Sequence, residues 1–311
     1  MERKSFSYRT LRSSANRWTL MLPGAGCEYW KKTGGCSMCG FNNATQKYSH
    51  GFLFPTLIFW LMYKLARRTI TTASELTIFN GGSFFNDREI PPRFKKWLYQ
   101  EVAKDPLIGH LTVESRCEYI TEEAAGSATQ SLGGKKMTIA VGLESQDDYV
   151  RNVLIKKGLK KTVFEQKVAL AHKVGATVSA YVFLKPLGLS EEGALKETVK
   201  TIQYALAVGV DKIDLSCAFV QENTPMARAY YEGKFSPPSL WTILRIIKLV
   251  QENNWPVSIG GFTDEPPPIA IPANCSNCSP QIYEAIEQFR QTNTLGDIPQ
   301  CVCRSSFHAT R

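Results

Sequence analysis

Three cysteines, Cys27, Cys36 and Cys39, stand in one glycine-rich stretch, Gly26-Cys27-Glu28-Tyr29-Trp30-Lys31-Lys32-Thr33-Gly34-Gly35-Cys36-Ser37-Met38-Cys39-Gly40, with eight residues between the first and a Cys-x-x-Cys pair. The next cysteine along the chain is Cys117, so no fourth thiol closes the group locally. Structural zinc takes four protein ligands, whereas a four-iron cluster held by three thiolates leaves one iron open to a small molecule. Glycines let backbone amides turn toward the sulfurs and stabilise a negatively charged cluster. Spacing alone leaves this reading in competition with half of a zinc knuckle and with thiols that are neighbours by chance.

A second cysteine group lies near the C-terminus. Cys275, Cys278, Cys301 and Cys303 form two pairs separated by 22 residues and supply the four thiolates that structural zinc requires. A second iron–sulfur cluster is the alternative occupant. Cys117 and Cys217 stand alone and read as small buried hydrophobes. The histidines, His50, His110, His172 and His308, show no ligand spacing.

Strand-like and helix-like segments alternate along the chain and must position these groups. Short apolar runs predict strands at 18–22, 76–79, 110–114, 137–143, 177–184, 212–215 and 257–259. Helices are expected from Pro55 to about residue 68, after Pro91-Pro92, from Thr121, from the capping box Thr162-x-x-Glu165, from Ser190 and after Pro237-Pro238. Six or seven βα units imply an α/β fold with a parallel sheet curled into a full or partial (βα)6-type, TIM-like barrel; a doubly wound sheet is the alternative. The expected division is a core barrel over 1–262, a proline-rich linker over 263–272 and a small Cys-rich, metal-binding appendix over 273–311.

In parallel α/β folds the active site gathers at the C-terminal strand ends. Five unusual segments fall there: the cysteine stretch, Asn80-Gly81-Gly82-Ser83, Glu114-Ser115-Arg116, Gly142-Leu143-Glu144-Ser145, and Lys185-Pro186. One such segment would be ordinary turn chemistry; five in register are not. The charge balance, 37 − 28 = +9, suits a polyanionic partner, though a solvated basic surface explains it as well. The longest apolar stretch, 52–63, contains Pro55 and is too short to span a bilayer. No membrane role is expected. Thiols used as metal ligands fit a reducing compartment, so the expected location is cytoplasmic.

Taken together these stretches resemble the radical SAM superfamily, in the branch with elongator-type and NifB-like cores. The chain more closely resembles the archaeosine-biosynthesis radical SAM family (RaSEA). That likeness runs through Gly35–Phe41, Phe79–Phe84, Lys156-Lys157-Gly158-Leu159, Val182–Leu187, Val220-Gln221-Glu222-Asn223-Thr224, Ser236-Pro237-Pro238-Ser239-Leu240-Trp241 and the tail cysteines. The superfamily's usual spacing is Cys-x3-Cys-x2-Cys; the longer first gap here also occurs in the archaeosine-type branch. The resemblance implies that Cys27, Cys36 and Cys39 ligate a [4Fe-4S] cluster whose open iron chelates S-adenosylmethionine, and that one electron releases a 5′-deoxyadenosyl radical. It implies that Gly81, Gly82 and Ser83 bind the methionine end of that cofactor. Glu114 and Arg116 would lie near its ribose or carboxylate, with Glu144 and Ser145 as further candidates. An ion pair at a barrel rim is the structural alternative for Glu114 and Arg116. Lys185 is a candidate substrate contact, or a lysine snorkelling to the surface.

The implied reaction is a lyase- or transferase-type tRNA modification. In it a lysine-bearing 7-deazaguanine nucleoside becomes an amidine by C–N cleavage. Its implied partners are tRNA, an electron donor such as flavodoxin or ferredoxin, and a subunit that installs the lysine. Methylthiolation or a small-molecule rearrangement is the first alternative; a non-catalytic, zinc-stabilised RNA-binding module is the contrasting one.

Overall fold

A computed structural model describes residues 10–14, 17–22, 26–41, 55–72, 74–264 and 266–304. His50 and His308 lie outside these residues. The described chain divides into two compact units. Residues up to 35, 55–141 and 163–178 belong to the first, and 36–41, 142–162 and 179–304 to the second.

The first unit carries β1 (Thr10–Ser14), β2 (Arg17–Met21), α1 (Glu28–Thr33), α2 (Pro55–Thr69), β3 (Glu75–Phe79), α3 (Pro92–Lys104), β4 (His110–Glu114), α4 (Glu122–Ser131), the start of β5 (Lys136–Glu144) and most of α5 (Lys161–Lys173). Its strands lie in the order β1-β2-β3-β4-β5. β1 is antiparallel to β2, and the pairs β2–β3, β3–β4 and β4–β5 are parallel. β3 and β4 each bury three consecutive residues, the pattern of strands covered on both faces. Pro92 opens α3, where its missing N–H is no loss, and Thr121 Oγ1 caps α4 by accepting from Ala124 N at 3.1 Å. α2 and α3 lock through aromatic rings: Phe59 meets Phe94 edge-on at 5.5 Å, and Tyr63 meets Trp97 at 5.3 Å.

The second unit carries β6 (Thr177–Leu184) from Ser179 onward, α6 (Glu191–Ala207), β7 (Lys212–Cys217), α7 (Pro225–Tyr231), α8 (Leu240–Glu252), β8 (Val257–Ile259) and α9 (Ser279–Thr292). β6, β7 and β8 pair in parallel. α6 is capped by Ser190, whose hydroxyl accepts from Gly193 N at 3.1 Å. The face of α8 formed by Leu240, Ile243, Leu244, Ile247 and Val250 is buried as its spacing requires.

The fold class expected from the sequence, α/β with parallel strands and a cysteine-rich C-terminal appendix, is the one present. Three local expectations differ. β1, with one apolar residue in Thr10-Leu11-Arg12-Ser13-Ser14, was not signalled; it forms because β2 presents an edge for it to pair with. α5 starts at Lys161, which puts Thr162 inside the first turn rather than at the cap. The interval between Cys27 and Cys36 is a short helix, α1, ended by two glycines, rather than a loop throughout. The proline segment 263–272 is also bonded to the second unit: Ile269 N donates to Val220 O at 2.8 Å, and Gln221 Nε2 donates to Pro266 O at 3.2 Å.

Candidate functional site

Cys27 is the N-cap of α1, with an extended backbone. Burial raises its thiol pKa and the nearby Glu89 carboxylate adds to that, opposed by the Trp30 amide. α1 ends at Gly34 and Gly35, both with positive φ; a Cβ on Gly35 would lie 2.1 Å from Trp30 Cδ1, so only glycine fits. The amide after the cysteine, Glu28 N, donates to Glu89 Oε1 at 3.0 Å.

Glu89 is a buried carboxylate that joins α1 to the segment following β3. Its Oε1 also accepts from Asn86 Nδ2 at 2.9 Å, and its Oε2 accepts from Asn80 Nδ2 at 3.4 Å and from Ser83 N. Burial raises its pKa, moderated by the Glu28 and Ser83 amides. A Cβ on Gly82 would fall 2.0 Å from Glu89 Oε2, which explains glycine there. Because the Asn80 amide must turn its NH2 to the carboxylate, its Oδ1 points elsewhere, and this buried acceptor has no hydrogen-bond partner. An orphaned acceptor beside two glycines fits an ammonium or N–H donor on a ligand.

The same unit brings in the segment after β4. Phe84 N donates to Glu114 O at 2.8 Å, and Arg116 N donates to Ser83 Oγ at 3.3 Å. The Arg116 guanidinium stacks 3.7 Å from the Tyr29 ring centre, and its Nε donates to Glu118 Oε1 at 2.5 Å. Cys27, Gly82, Ser83, Glu114 and Arg116 are thus tied into one connected site. Glu89 and Tyr29, which knit it together, carried no sequence signal; Asp87-Arg88-Glu89 reads as a solvated charged run.

In the second unit the Cys36–Cys39 turn is closed by Cys39 N donating to Cys36 O at 3.1 Å. Ser37 N donates to Ile155 O at 2.8 Å, and Met226 N donates to Ser37 O at 3.3 Å. Cys36 and Met38 pack on a cluster that includes Val150, Ile155, Val220 and Met226. A Cβ on Gly40 would meet Gln221 Cβ at 2.6 Å. The Val220–Thr224 motif therefore supports the Cys-x-x-Cys turn, with Thr224 capping α7.

Glu144 ends β5 with φ +66°, a strained conformation for a non-glycine residue, and pairs with Lys157 at 2.7 Å in a buried setting. Ser145 Oγ donates to Glu197 Oε1 at 2.5 Å, so both side chains are engaged within the protein. The fully buried Arg151 supports them, donating to Ser145 O at 2.9 Å and Leu159 O at 2.7 Å. Lys185 does not snorkel: it is 7% exposed, has φ +64°, and pairs with Glu191. Cys117 and Cys217 are buried, and burial pushes the Cys217 thiol up to about 12. His172 is exposed, while His110 bonds Thr138 at 2.7 Å.

The tail cysteines converge. Cys275 and Cys278 sulfurs lie 3.4 Å apart, Cys275 and Cys301 3.4 Å, Cys278 and Cys303 3.5 Å, and all four lie within 4.8 Å of one another. With Zn–S bonds of about 2.3 Å, a tetrahedron of sulfurs has edges of about 3.8 Å. α9 lies between the two pairs and brings the second back to the first. Trp241 Nε1 donates to Cys303 Sγ at 3.3 Å.

No family model matches the chain. It is 30% identical over 295 residues to archaeosine synthase subunit beta of Methanosarcina acetivorans, covering 92% of this chain and 81% of that protein. The protein of the same name from Thermococcus kodakarensis is 25% identical over 229 residues, covering 73% and 70%. Among solved structures, Elp3 of Methanocaldococcus infernus with an N-terminal deletion matches with a TM-score of 0.54 at 16% identity, over 78% of this chain and 66% of that one, a likeness of fold. Given an identity of 30% along 92% of its length, the chain belongs to the archaeosine synthase subunit beta family.

Proposed function

We propose that Cys27, Cys36 and Cys39 hold a [4Fe-4S] cluster, that the segment around Gly81, Gly82 and Ser83 holds the methionine end of S-adenosylmethionine, and that the enzyme modifies tRNA. The observation that carries this reading is Glu89, whose carboxylate bonds both the amide next to Cys27 and the amide of Ser83. It fixes a cysteine ligand against the segment proposed to take the cofactor. A cluster held by these three thiolates would supply the electron for cleaving the cofactor's sulfonium. The chain's own part is to bind, orient and exclude water. Asn80 Oδ1, a buried acceptor with no partner, would accept from the cofactor's ammonium, and Arg116, stacked on Tyr29, would offer a fixed cation to its carboxylate or ribose. Glu144 and Ser145 shape the end of β5 from within.

The substrate proposed is the lysine-bearing 7-deazaguanine nucleoside of tRNA, converted to its amidine by lyase-type C–N cleavage. Support comes from the names of the relatives, which also designate a beta subunit and so point to a partner subunit. The net charge of +9 suits tRNA. Flavodoxin or ferredoxin would provide the electron in the cytoplasm. The four tail thiolates hold zinc; in support, they number four and their sulfurs lie within 4.8 Å of one another. Among the described residues no helix is long and apolar enough to cross a membrane.

The test begins with anaerobic purification. The protein should be brown, with visible absorption bleached by dithionite. Cys36→Ala should lose S-adenosylmethionine cleavage and keep the tail metal; retained cleavage would overturn the ligand assignment. Mass spectrometry of tRNA nucleosides from a deletion strain should show the lysine-bearing precursor accumulating.

A further inference from the structure

Within the second unit, the tail sulfurs are joined to the C-terminal end of β6 by an unbroken run of hydrogen bonds. Asn274 immediately precedes Cys275 and is anchored by its N–H donating to Ser279 Oγ at 2.9 Å, while Ser279 Oγ donates to Cys275 O at 3.0 Å. Asn274 Oδ1 accepts from Ser239 Oγ at 2.7 Å and Leu240 N at 3.0 Å, at the first turn of α8. Ser239 N in turn donates to both carboxylate oxygens of Glu191 at 3.3 Å, and Thr242 Oγ1 donates to Glu191 Oε2 at 2.5 Å. Glu191 pairs with Lys185, whose Nζ also reaches Ser236 Oγ at 3.4 Å. A second strap is direct: Trp241, on the same first turn of α8, donates its indole N–H to Cys303 Sγ at 3.3 Å.

The physical logic is that of a helix start used as a junction. The first N–H groups of any helix need acceptors from outside it. α8 takes them from Asn274, next to a metal ligand, and from Glu191, next to Lys185. Lys185 needs such restraint, because a buried non-glycine residue at positive φ persists only where its surroundings over-determine it.

We propose that the tail metal centre holds the Lys185–Glu191 pair and the left-handed turn at the end of β6 in place, with Asn274 as the positioning residue through which it acts. The proposal rests on reading the four tail sulfurs as a zinc site. It makes Lys185, a candidate substrate contact from the sequence, an anchored element of the β6 end, with its ammonium already held by Glu191.

The test uses the full-length holoprotein and reads neither cofactor nor activity. Zinc per chain is measured by elemental analysis, Lys185 accessibility by N-hydroxysuccinimidyl acetate labelling with peptide mass spectrometry, and local opening by hydrogen exchange. Asn274→Ala should keep one zinc per chain yet raise Lys185 labelling, and exchange at 185–191 and 236–242, about fivefold to tenfold, the effect of losing a helix cap. Asn274→Asp keeps an oxygen for the same two donors and should behave as wild type. Cys301→Ser should lose zinc and raise Lys185 labelling at least as much as Asn274→Ala, with the exposed Lys248 unchanged. Unchanged Lys185 protection in Asn274→Ala, or a rise in Cys301→Ser confined to 273–304, overturns the proposal. If Cys301→Ser opens the whole second unit, the contrast between Asn274→Ala and Asn274→Asp decides. A wild-type protein without zinc whose Lys185 is protected overturns both the metal's role and the zinc reading, and leaves the N-terminal cluster assignment to be judged by absorption.

Discussion

Glu89→Gln tests the reasoning about the cofactor site most directly. Oε1 of Glu89 accepts from Glu28 N at 3.0 Å and Asn86 Nδ2 at 2.9 Å, while Oε2 accepts from Ser83 N and, at 3.4 Å, from Asn80 Nδ2. Glutamine has one carbonyl oxygen, so one pair of donors must face an NH2 group. The less costly orientation keeps the Glu28 and Asn86 bonds and turns the NH2 toward Ser83 and Asn80. That forfeits one strong charge-assisted bond and one weak one, about 3–4 kcal/mol together. Relief of burying a charge, which raises the Glu89 pKa, offsets part of this. A net penalty of about 2 kcal/mol corresponds to roughly a 30-fold change in equilibrium. If it falls on the binding-competent form of the 80–83 segment, the Kd for S-adenosylmethionine rises about 30-fold. The assay is equilibrium dialysis of labelled cofactor on anaerobically reconstituted protein, with iron content and the urea midpoint measured in parallel. A Kd within twofold of wild type would refute the reasoning. A lowered urea midpoint with unchanged Kd would reduce Glu89 to a purely structural residue.

Gly142→Ala places a Cβ 2.0 Å from Lys157 Nζ and 2.4 Å from Glu144 Oε1, so it must displace that buried pair. A loss of about 1–3 kcal/mol is expected from urea unfolding, and an unchanged midpoint would contradict the crowding. Burial raises the Asp105 carboxyl pKa, but the Arg67 guanidinium and the Leu107 amide lower it further, leaving it below its ordinary value. A carboxylate depressed on folding stabilises above its unfolded pKa of about 3.9, and the gain is lost as pH falls through the folded value. Asp105→Asn should therefore be less stable than wild type at neutral pH, with the gap closing below about pH 4; a gap independent of pH would be wrong. Binding of unmodified tRNA should weaken about 40-fold between 50 and 200 mM salt if about three phosphates are contacted, and salt-independent binding would remove the basis for a nucleic-acid substrate.

Much of the fold was legible because parallel strands buried on both faces need short apolar runs, and such runs sit at 110–114, 177–184 and 257–259 with the bounds the structure has. Local capping chemistry was legible where one side chain serves its own helix, as at Thr121 and Ser190. It failed at Thr162, where the helix begins one residue earlier, and at β1, whose pairing depends on an edge supplied by another strand. The tail cysteines could be counted in sequence, but a helix that returns the second pair to the first could not be inferred from spacing between pairs.

By itself the sequence determined which groups are present: thiols at Cys27, Cys36 and Cys39, glycines after β3, charges at the ends of β4, β5 and β6, and four more thiols in the tail. Only the tertiary structure decided how those groups are held. Glu89 is one charged residue among three in a loop until its carboxylate is seen gathering donors from α1 and the glycine segment. Lys185 reads as a surface lysine until Glu191 and the start of α8 are seen around it. Side-chain type is fixed by the chain locally, whereas burial and hydrogen-bond partners are set by segments tens of residues away, and it is those partners that decide whether a charge is solvated or built into a site.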